Sequence, residues 1–241
     1  MYGYGYGYGF DWTYILVLIG VAVTMLASAR MKSTFARYAG VRSASGLTGR
    51  EVAQRILNAN GIYDVAVLPV AGRLTDHYNP AKKTVNLSEL IYNSTSVAAI
   101  GVAAHECGHA IQDNRDYAPL RFRTAFFPAA NLGSGLSWPM IIGGLLLARS
   151  GAYIGYTLMS FGILLFSLAV IFQLITLPVE FDASRRALRQ LSETGILPCE
   201  EEKQARAVLF AAALTYVAAA SASLLQLLRL IILFGGRRSR D

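Results

Sequence analysis

Hydrophobic and polar residues fall into long separate blocks along this chain. From Trp12 to Ala29, 18 consecutive residues carry no charge, which is just long enough for a helix to cross a bilayer. Two longer uncharged runs, Thr124–Ala148 and Ser150–Val179, meet at Arg149-Ser150-Gly151. That break predicts a tight helical hairpin. A fourth run, Ala207–Leu228, is rich in Ala, Ser and Thr, and is expected to pack on the domain and the membrane face in preference to crossing fully. Between the first and second runs the pattern is that of water-facing protein. Thr48-Gly49-Arg50-Glu51 has capping-box spacing, and Val52, Ile56 and Leu57 form an apolar stripe; together they predict a helix ending at Asn60-Gly61. Val65, Val67 and Val70 predict a strand within 62–70, and the alternation from Lys83 to Ser88 a second, half-buried one. Thr75–Pro80 reads as the turn leading into that strand, and a helix is expected from about Ser94 to Asp113. Another helix is expected near Pro178–Leu191, below the hairpin.

Composition agrees with a membrane protein. Of the 241 residues 54% are hydrophobic and only 15% charged, against about a quarter charged in soluble domains. The net charge of +7 would suit nucleic acid or an anionic membrane. The arginines flank apolar runs and form no basic face with interleaved aromatics, so nucleic acid is excluded and the lipid bilayer is the expected partner. Arg30, Lys32, Arg37, Arg42 and Arg50 all follow the first run, which by the positive-inside rule places the N-terminus outside and the next segment in the cytoplasm. A cleaved signal peptide, encouraged by Ala27-Ser28-Ala29, would need positive side chains ahead of its apolar core; none is present. Both bases of the hairpin are Arg-rich (Arg115, Arg121 and Arg123; Arg185, Arg186 and Arg189), so both belong on the cytoplasmic side. A terminal span would put Arg237, Arg238 and Arg240 outside, against that bias. The opening MYGYGYGYG buries little and is expected to be disordered, with Tyr8, Phe10 and Trp12 able to touch headgroups. Cys107 and Cys199 are too few for a disulfide framework and are expected to be buried thiols.

The chemistry resides in His105-Glu106-Cys107-Gly108-His109, an H-E-x-x-H pattern. On a helix, positions i and i+4 share a face, so both imidazoles can reach one zinc ion. Glu106 then lies within reach of a zinc-activated water and can act as its general base. Cys107 points about 200° away from His105 and is no natural ligand. Gly108 suits close packing or a nearby substrate. A catalytic zinc needs a third protein ligand and one open position. Carboxylates and His77 are the candidates, and Glu180 is the best placed. It lies on the same side of the membrane as the histidines because two crossings separate them. The alternative for Glu180 is an interfacial carboxylate paired with Arg185. His77, in its turn, is a candidate donor to the oxyanion or simply a surface histidine; Tyr78 and Tyr216 are weaker candidates for that donor role.

The segments LTDHYNPAKKTVNLSE, AAHECGHAIQD, LPVEFDASRRAL and AAALTYVAAA, spread over roughly residues 30 to 230, resemble the bacterial membrane neutral zinc metallopeptidases (YugP-like). The resemblance implies a membrane-anchored zincin with the two histidines as ligands and Glu106 as base. More distantly, the chain is similar to HtpX-type and CAAX-processing gluzincins, in which a hairpin also separates H-E-x-x-H from a glutamate ligand. Those relatives carry Asp four residues after that glutamate; here the position is Ser184, and the nearby acid is Asp182.

The expected architecture is a mainly α membrane protein: an α+β, zincin-like (gluzincin) catalytic domain with a small sheet, interrupted by a transmembrane hairpin. Its divisions are a tail over 1–11, an anchor over 12–29, catalytic parts over 30–123 and 179–241, and the hairpin over 124–178. The expected activity is zinc-dependent hydrolysis of protein or peptide substrates, membrane proteins among them, at the bacterial inner (plasma) membrane with the catalytic domain facing the cytoplasm. Two other readings compete: an intramembrane protease of the site-2 type, and a non-catalytic scaffold or chaperone with structural zinc. Asp113, Arg115 and Asp116 follow the motif too closely for an intramembrane helix. A structural site would have four protein ligands and no need of Glu106.

Overall fold

The computed structural model describes residues 11–234. The expectations for Tyr8, Phe10 and the rest of the Tyr/Gly tail, and for Arg237, Arg238 and Arg240, lie outside the described residues. Among the described residues, seven helices and three short strands follow in the order α1 (Tyr14–Ala39), α2 (Gly49–Ala59), β1 (Ala66–Val70), β2 (His77–Asn79), β3 (Thr84–Ser88), the one-turn α3 (Glu89–Tyr92), α4 (Val97–Asn114), α5 (Ala118–Arg149), α6 (Ile154–Glu193) and α7 (Cys199–Phe234). Four of them, α1, α5, α6 and α7, are long and apolar enough to cross a membrane. Their outward faces carry Leu18, Leu26, Leu146, Phe161, Leu164 and Ile231, all exposed. So much apolar surface needs a lipid or protein partner to cover it.

The water-facing core forms where α2, the sheet and α4 meet. The capping box is present as expected: the Glu51 N–H donates to Thr48 Oγ1 at 3.3 Å and the Thr48 N–H to Glu51 Oε2 at 2.8 Å. The helix it starts buries Val52, Ile56 and Leu57. The sheet order is β1–β3–β2, with β1 parallel and β2 antiparallel to β3. Val67 and Tyr78 both lie opposite Val85, so these three share the face that closes over Ile100, Ala103, Cys107 and Ile111 of α4. Cys107 is buried as expected, its thiol 3.5 Å from the Ala53 carbonyl. Cys199 is exposed at the start of α7, contrary to expectation, because the chain leaves the core after Leu197 and returns to it only at Ala205.

Three local expectations change. The first strand covers only Ala66–Val70. The stretch read as a turn at Thr75–Pro80 contains β2, which exists because β3 offers it a pairing edge. Pro178 starts no new helix; α6 runs through it for 40 residues. Pro178 removes one backbone hydrogen bond, but buried Thr176, Val179, Glu180 and Ala183 hold the helix on either side.

Close approach between helices sets the arrangement. A Cβ on Gly133, Gly144 or Gly162 would come within 3.0 Å of the facing helix, so α5 and α6 touch backbone to backbone as an antiparallel pair. The last helix packs on the domain, as expected, and also on α1. Its lower part, with Ala205 and Leu209, belongs to the domain core, while its upper part runs antiparallel beside α1. Gly20 packs on Ala222, and at the far end Arg229 reaches Asp11 at 3.4 Å and Thr13 at 3.2 Å and stacks over the Tyr14 ring. Small Ala and Ser residues, which lowered the hydropathy of this run, are what allow the two helices to approach.

Gly108 of α4 lies against the backbone of Ala183 of α6, where a Cβ would collide with the Ala183 carbonyl; a Cβ on Gly101 would meet Ala205 at an ordinary 3.6 Å. Replacing Gly by Ala in a helix gains about 1 kcal/mol of propensity, whereas overpacking costs about 1–3 kcal/mol. Gly101→Ala is therefore expected to raise or preserve the thermal midpoint in detergent, and Gly108→Ala to lower it. Equal midpoints for the two variants would contradict the α4–α6 contact.

Candidate metal centre

His105 and His109 are one turn apart on α4, a helix capped by Ser96, whose hydroxyl accepts from the Ala99 N–H at 3.2 Å. Glu180 projects from α6 toward them and is 2% exposed. Its Oε2 lies 3.3 Å from His105 Nε2 and 3.6 Å from His109 Nε2, and the three ligand atoms fall within 4.8 Å of one another. Nitrogen and oxygen ligands at about 2.0–2.1 Å from a tetrahedral zinc are about 3.4 Å apart. The two distances to Glu180 match that edge.

The hydrogen bonds behind the histidines support the same conclusion. Gln112 donates through Nε2 to the Val179 carbonyl at 2.8 Å and to Asp182 Oδ2 at 2.9 Å. Its Oε1 is thereby the atom left for His109 Nδ1, 3.0 Å away, and as an acceptor it requires the proton on Nδ1. The Nε2 lone pair of His109 then faces a carboxylate oxygen, acceptor against acceptor, an arrangement that a cation between them turns from repulsion into attraction. His105 Nδ1 is held by the Ser184 hydroxyl at 3.1 Å. The residues present fit zinc on both geometry and donor chemistry. Asp182 and Ser184 divide the supporting role, one behind each imidazole. Asp182 is held in turn by the Arg186 guanidinium. Glu180 pairs with Arg123, Nη1 to Oε1 at 3.2 Å, and not with Arg185. One oxygen is thus anchored by a guanidinium and the other left for the metal.

Glu106 is buried beside this group. Burial pushes its carboxyl up to about 7, against a lowering effect of neighbouring His105; Glu180 and Asp76 nearby raise it further, and the Tyr78 backbone N–H lowers it. Tyr78 is fixed by its hydroxyl, which donates to Asp113 Oδ2 at 2.7 Å, the oxygen that also accepts from Lys83 Nζ at 2.7 Å. Burial and the Asp113 carboxylate raise the Tyr78 phenol and so keep it protonated. This pin holds β2 against α4. His77, its neighbour, points to the opposite face of the sheet, where its ring meets the Thr75 carbonyl at 2.8 Å and the Asn86 amide at 3.3 Å. The fold does not bring His77 to the other candidates, because adjacent strand residues face opposite ways. Tyr216 of α7, by contrast, lies near the Glu180 carboxylate.

Two residues of this centre have no counterpart among the sequence-based candidates. Gln112 follows His109 by three residues and so shares its helix face, a signal present in the sequence. Arg123 carries no local signal; only the return of α6 beside α5 gives it a partner.

A family model described as "Putative neutral zinc metallopeptidase" matches residues 13–235. "Putative membrane protease YugP" of Bacillus subtilis (strain 168) is 47% identical over 215 residues, covering 89% of this chain and 93% of its own. No solved structure matches.

Loss of a group that orients a metal-bound histidine commonly costs 10–100-fold in metal affinity. Gln112→Leu is expected to weaken zinc binding by that factor in a chelator competition, and an unchanged affinity would remove Gln112 from the centre. The raised Glu106 carboxyl gives a second expectation, for the metal-free protein. A group with its folded value near 7 and an ordinary value of 4.5 favours folding most below pH 4.5 and loses that contribution as pH rises through 7. Chelator-treated protein should therefore lose thermal stability between about pH 5 and 8, and Glu106→Gln should flatten that dependence.

Proposed function

The chain belongs to the neutral zinc metallopeptidase family, and from that premise we propose that it is a membrane-anchored zinc endopeptidase of gluzincin type, cutting protein or peptide substrates at the cytoplasmic face of a bacterial membrane. The observation that carries this reading is the convergence of His105, His109 and Glu180 beside buried Glu106, from segments on either side of a helical hairpin. Bound there, zinc supplies Lewis acidity, polarising the scissile carbonyl and acidifying the attacking water.

The chain's own residues do the rest. Glu106 takes the proton of the attacking water and delivers it to the leaving amine. A carboxyl pushed up to about 7 by burial is suited to both transfers near neutral pH. The Tyr78 N–H faces Glu106 and steadies it. The Tyr216 hydroxyl, next to Glu180, is the donor best placed for the developing oxyanion; His77 has no such position. The outer edge of β2 is unpaired within the three-stranded sheet, and an extended substrate segment can add there by backbone pairing.

The membrane reading follows from the four apolar helices. The hairpin α5–α6 crosses and returns, which keeps Glu180 on the side of the histidines. We take α7 to cross alongside α1, since it stays paired with α1 as far as Asp11. Three protein ligands with a buried glutamate beside them favour catalysis over a structural zinc site. The histidines sit on α4, which is none of the four apolar helices, so cleavage takes place at the membrane surface and not within it.

Glu106→Gln is expected to bind zinc as the unsubstituted protein does and to lose casein or peptide cleavage in detergent by about 10²–10⁴-fold. Glu180→Ala should lose both the metal and turnover. Zinc and activity retained in Glu180→Ala would move the third ligand elsewhere, and full activity in Glu106→Gln would sink the mechanism.

A further inference from the structure

A second feature lies on the far side of Asp182 from the metal. A groove of about 340 Å³ opens between the end of α4 and the lower part of α6, and Arg115, Arg185, Arg186 and Arg189 line it together with Asp182 and Glu193. Two of the guanidinium groups are already engaged. Arg186 bonds to Asp182 and stacks on the Tyr117 ring, and Arg189 bonds to Glu193 at 2.8 Å. These pairs cancel in charge and hold the walls. Arg115 and Arg185 have no acidic partner among the described residues, so the groove carries two uncompensated positive charges.

Two arginines converging on one concavity match the charge and the oxygen geometry of a phosphate group, which guanidinium recognises through paired N–H donors. Position indicates where the phosphate comes from. The uncharged part of α6 ends at Val179, and Arg185 follows six residues later, about 9 Å further along a helix. The headgroup layer extends roughly 5–8 Å beyond the hydrocarbon on each side, so Arg185 reaches its outer margin. A soluble anion would need no such placement.

We propose that this groove is an anion site that binds the phosphate of an acidic phospholipid headgroup. The placement rests on the membrane reading above, but the site is separate from the metal centre. It touches that centre at one point, since Asp182 is both its floor and the acceptor that holds Gln112 behind His109. Occupancy therefore also braces the support of a zinc ligand.

The test uses the zinc-loaded full chain in nanodiscs of phosphatidylcholine, with or without phosphatidylglycerol, read by native mass spectrometry of retained lipid and by thermal midpoint. Retention of phosphatidylglycerol over phosphatidylcholine is expected, with a higher midpoint. Arg115→Gln/Arg185→Gln should weaken that retention about tenfold or more, given the worth of basic residues near an anionic surface. The control Arg30→Gln/Lys32→Gln removes two charges from α1 and should change it far less. Equal losses in both double variants would reduce the effect to general surface charge and overturn the site. Inorganic phosphate bound in pure phosphatidylcholine, without preference for phosphatidylglycerol, would overturn the lipid source. No selective retention at all would overturn the proposal. Because neither readout is cleavage, failure of the peptidase reading leaves this result interpretable.

Discussion

The contact on which the rest depends is that of α4 with α6 at Gly108 and Ala183. It brings two backbones together with no side chain between them. The candidate ligands His105 and His109 come from one helix and Glu180 from another, 71 residues beyond His109 in the chain. Imidazole and carboxylate side chains are short, so three of their atoms can share one ion only if the helices carrying them almost touch. Any residue with a Cβ at position 108 would hold the helices apart. The same closeness lets Gln112 bridge to the Val179 carbonyl and Ser184 reach His105.

Electrostatics then decides which charged groups can stay in this buried place. A carboxylate at 2% exposure is costly unless compensated. Glu180 is compensated twice, by Arg123 on one oxygen and by the imidazole pair, with the ion they are built to hold, on the other. Glu106 has no arginine or lysine of its own and is pushed by burial toward its protonated form. Two glutamates on packed helices are thus set apart by their surroundings, one held as an anion and one pushed toward its protonated form.

The long helices also shape the metal centre. The α5–α6 hairpin delivers Arg123 at its entry and Glu180 at its exit, so its length and tight antiparallel packing fix the separation of an ion pair at the metal. On the other side, α7 enters through the domain core at Ala205 and Leu209, supplies Tyr216, and continues beside α1 to Arg229. The long apolar helices and the domain around the sheet are therefore one packed unit. Changes in one are transmitted to the other through continuous helices and not through linkers.

Much of this was legible in the sequence, for reasons that are local. A capping box, an apolar run and the i, i+4 spacing of two histidines are properties of neighbouring residues, and Thr48–Glu51, the uncharged runs and His105–His109 appear as expected. Even Glu180 could be reached, since counting membrane crossings uses order along the chain and not contact. Other features depended on partners far away in sequence. Strand β2 exists because β3 lies beside it, and its pleat turns His77 away from the centre while Tyr78 faces it. Arg123 was indistinguishable from any base flanking an apolar run until α6 returned beside it. The pairing of the Ala-rich final helix with α1 had no local signal either, although small residues are what close helix packing requires. Sequence alone determined which residues could bind a metal and which runs are long and apolar enough to cross a membrane. Tertiary structure decided which side chains meet, because only the close approach of helices distant in the chain brings short polar groups within bonding distance.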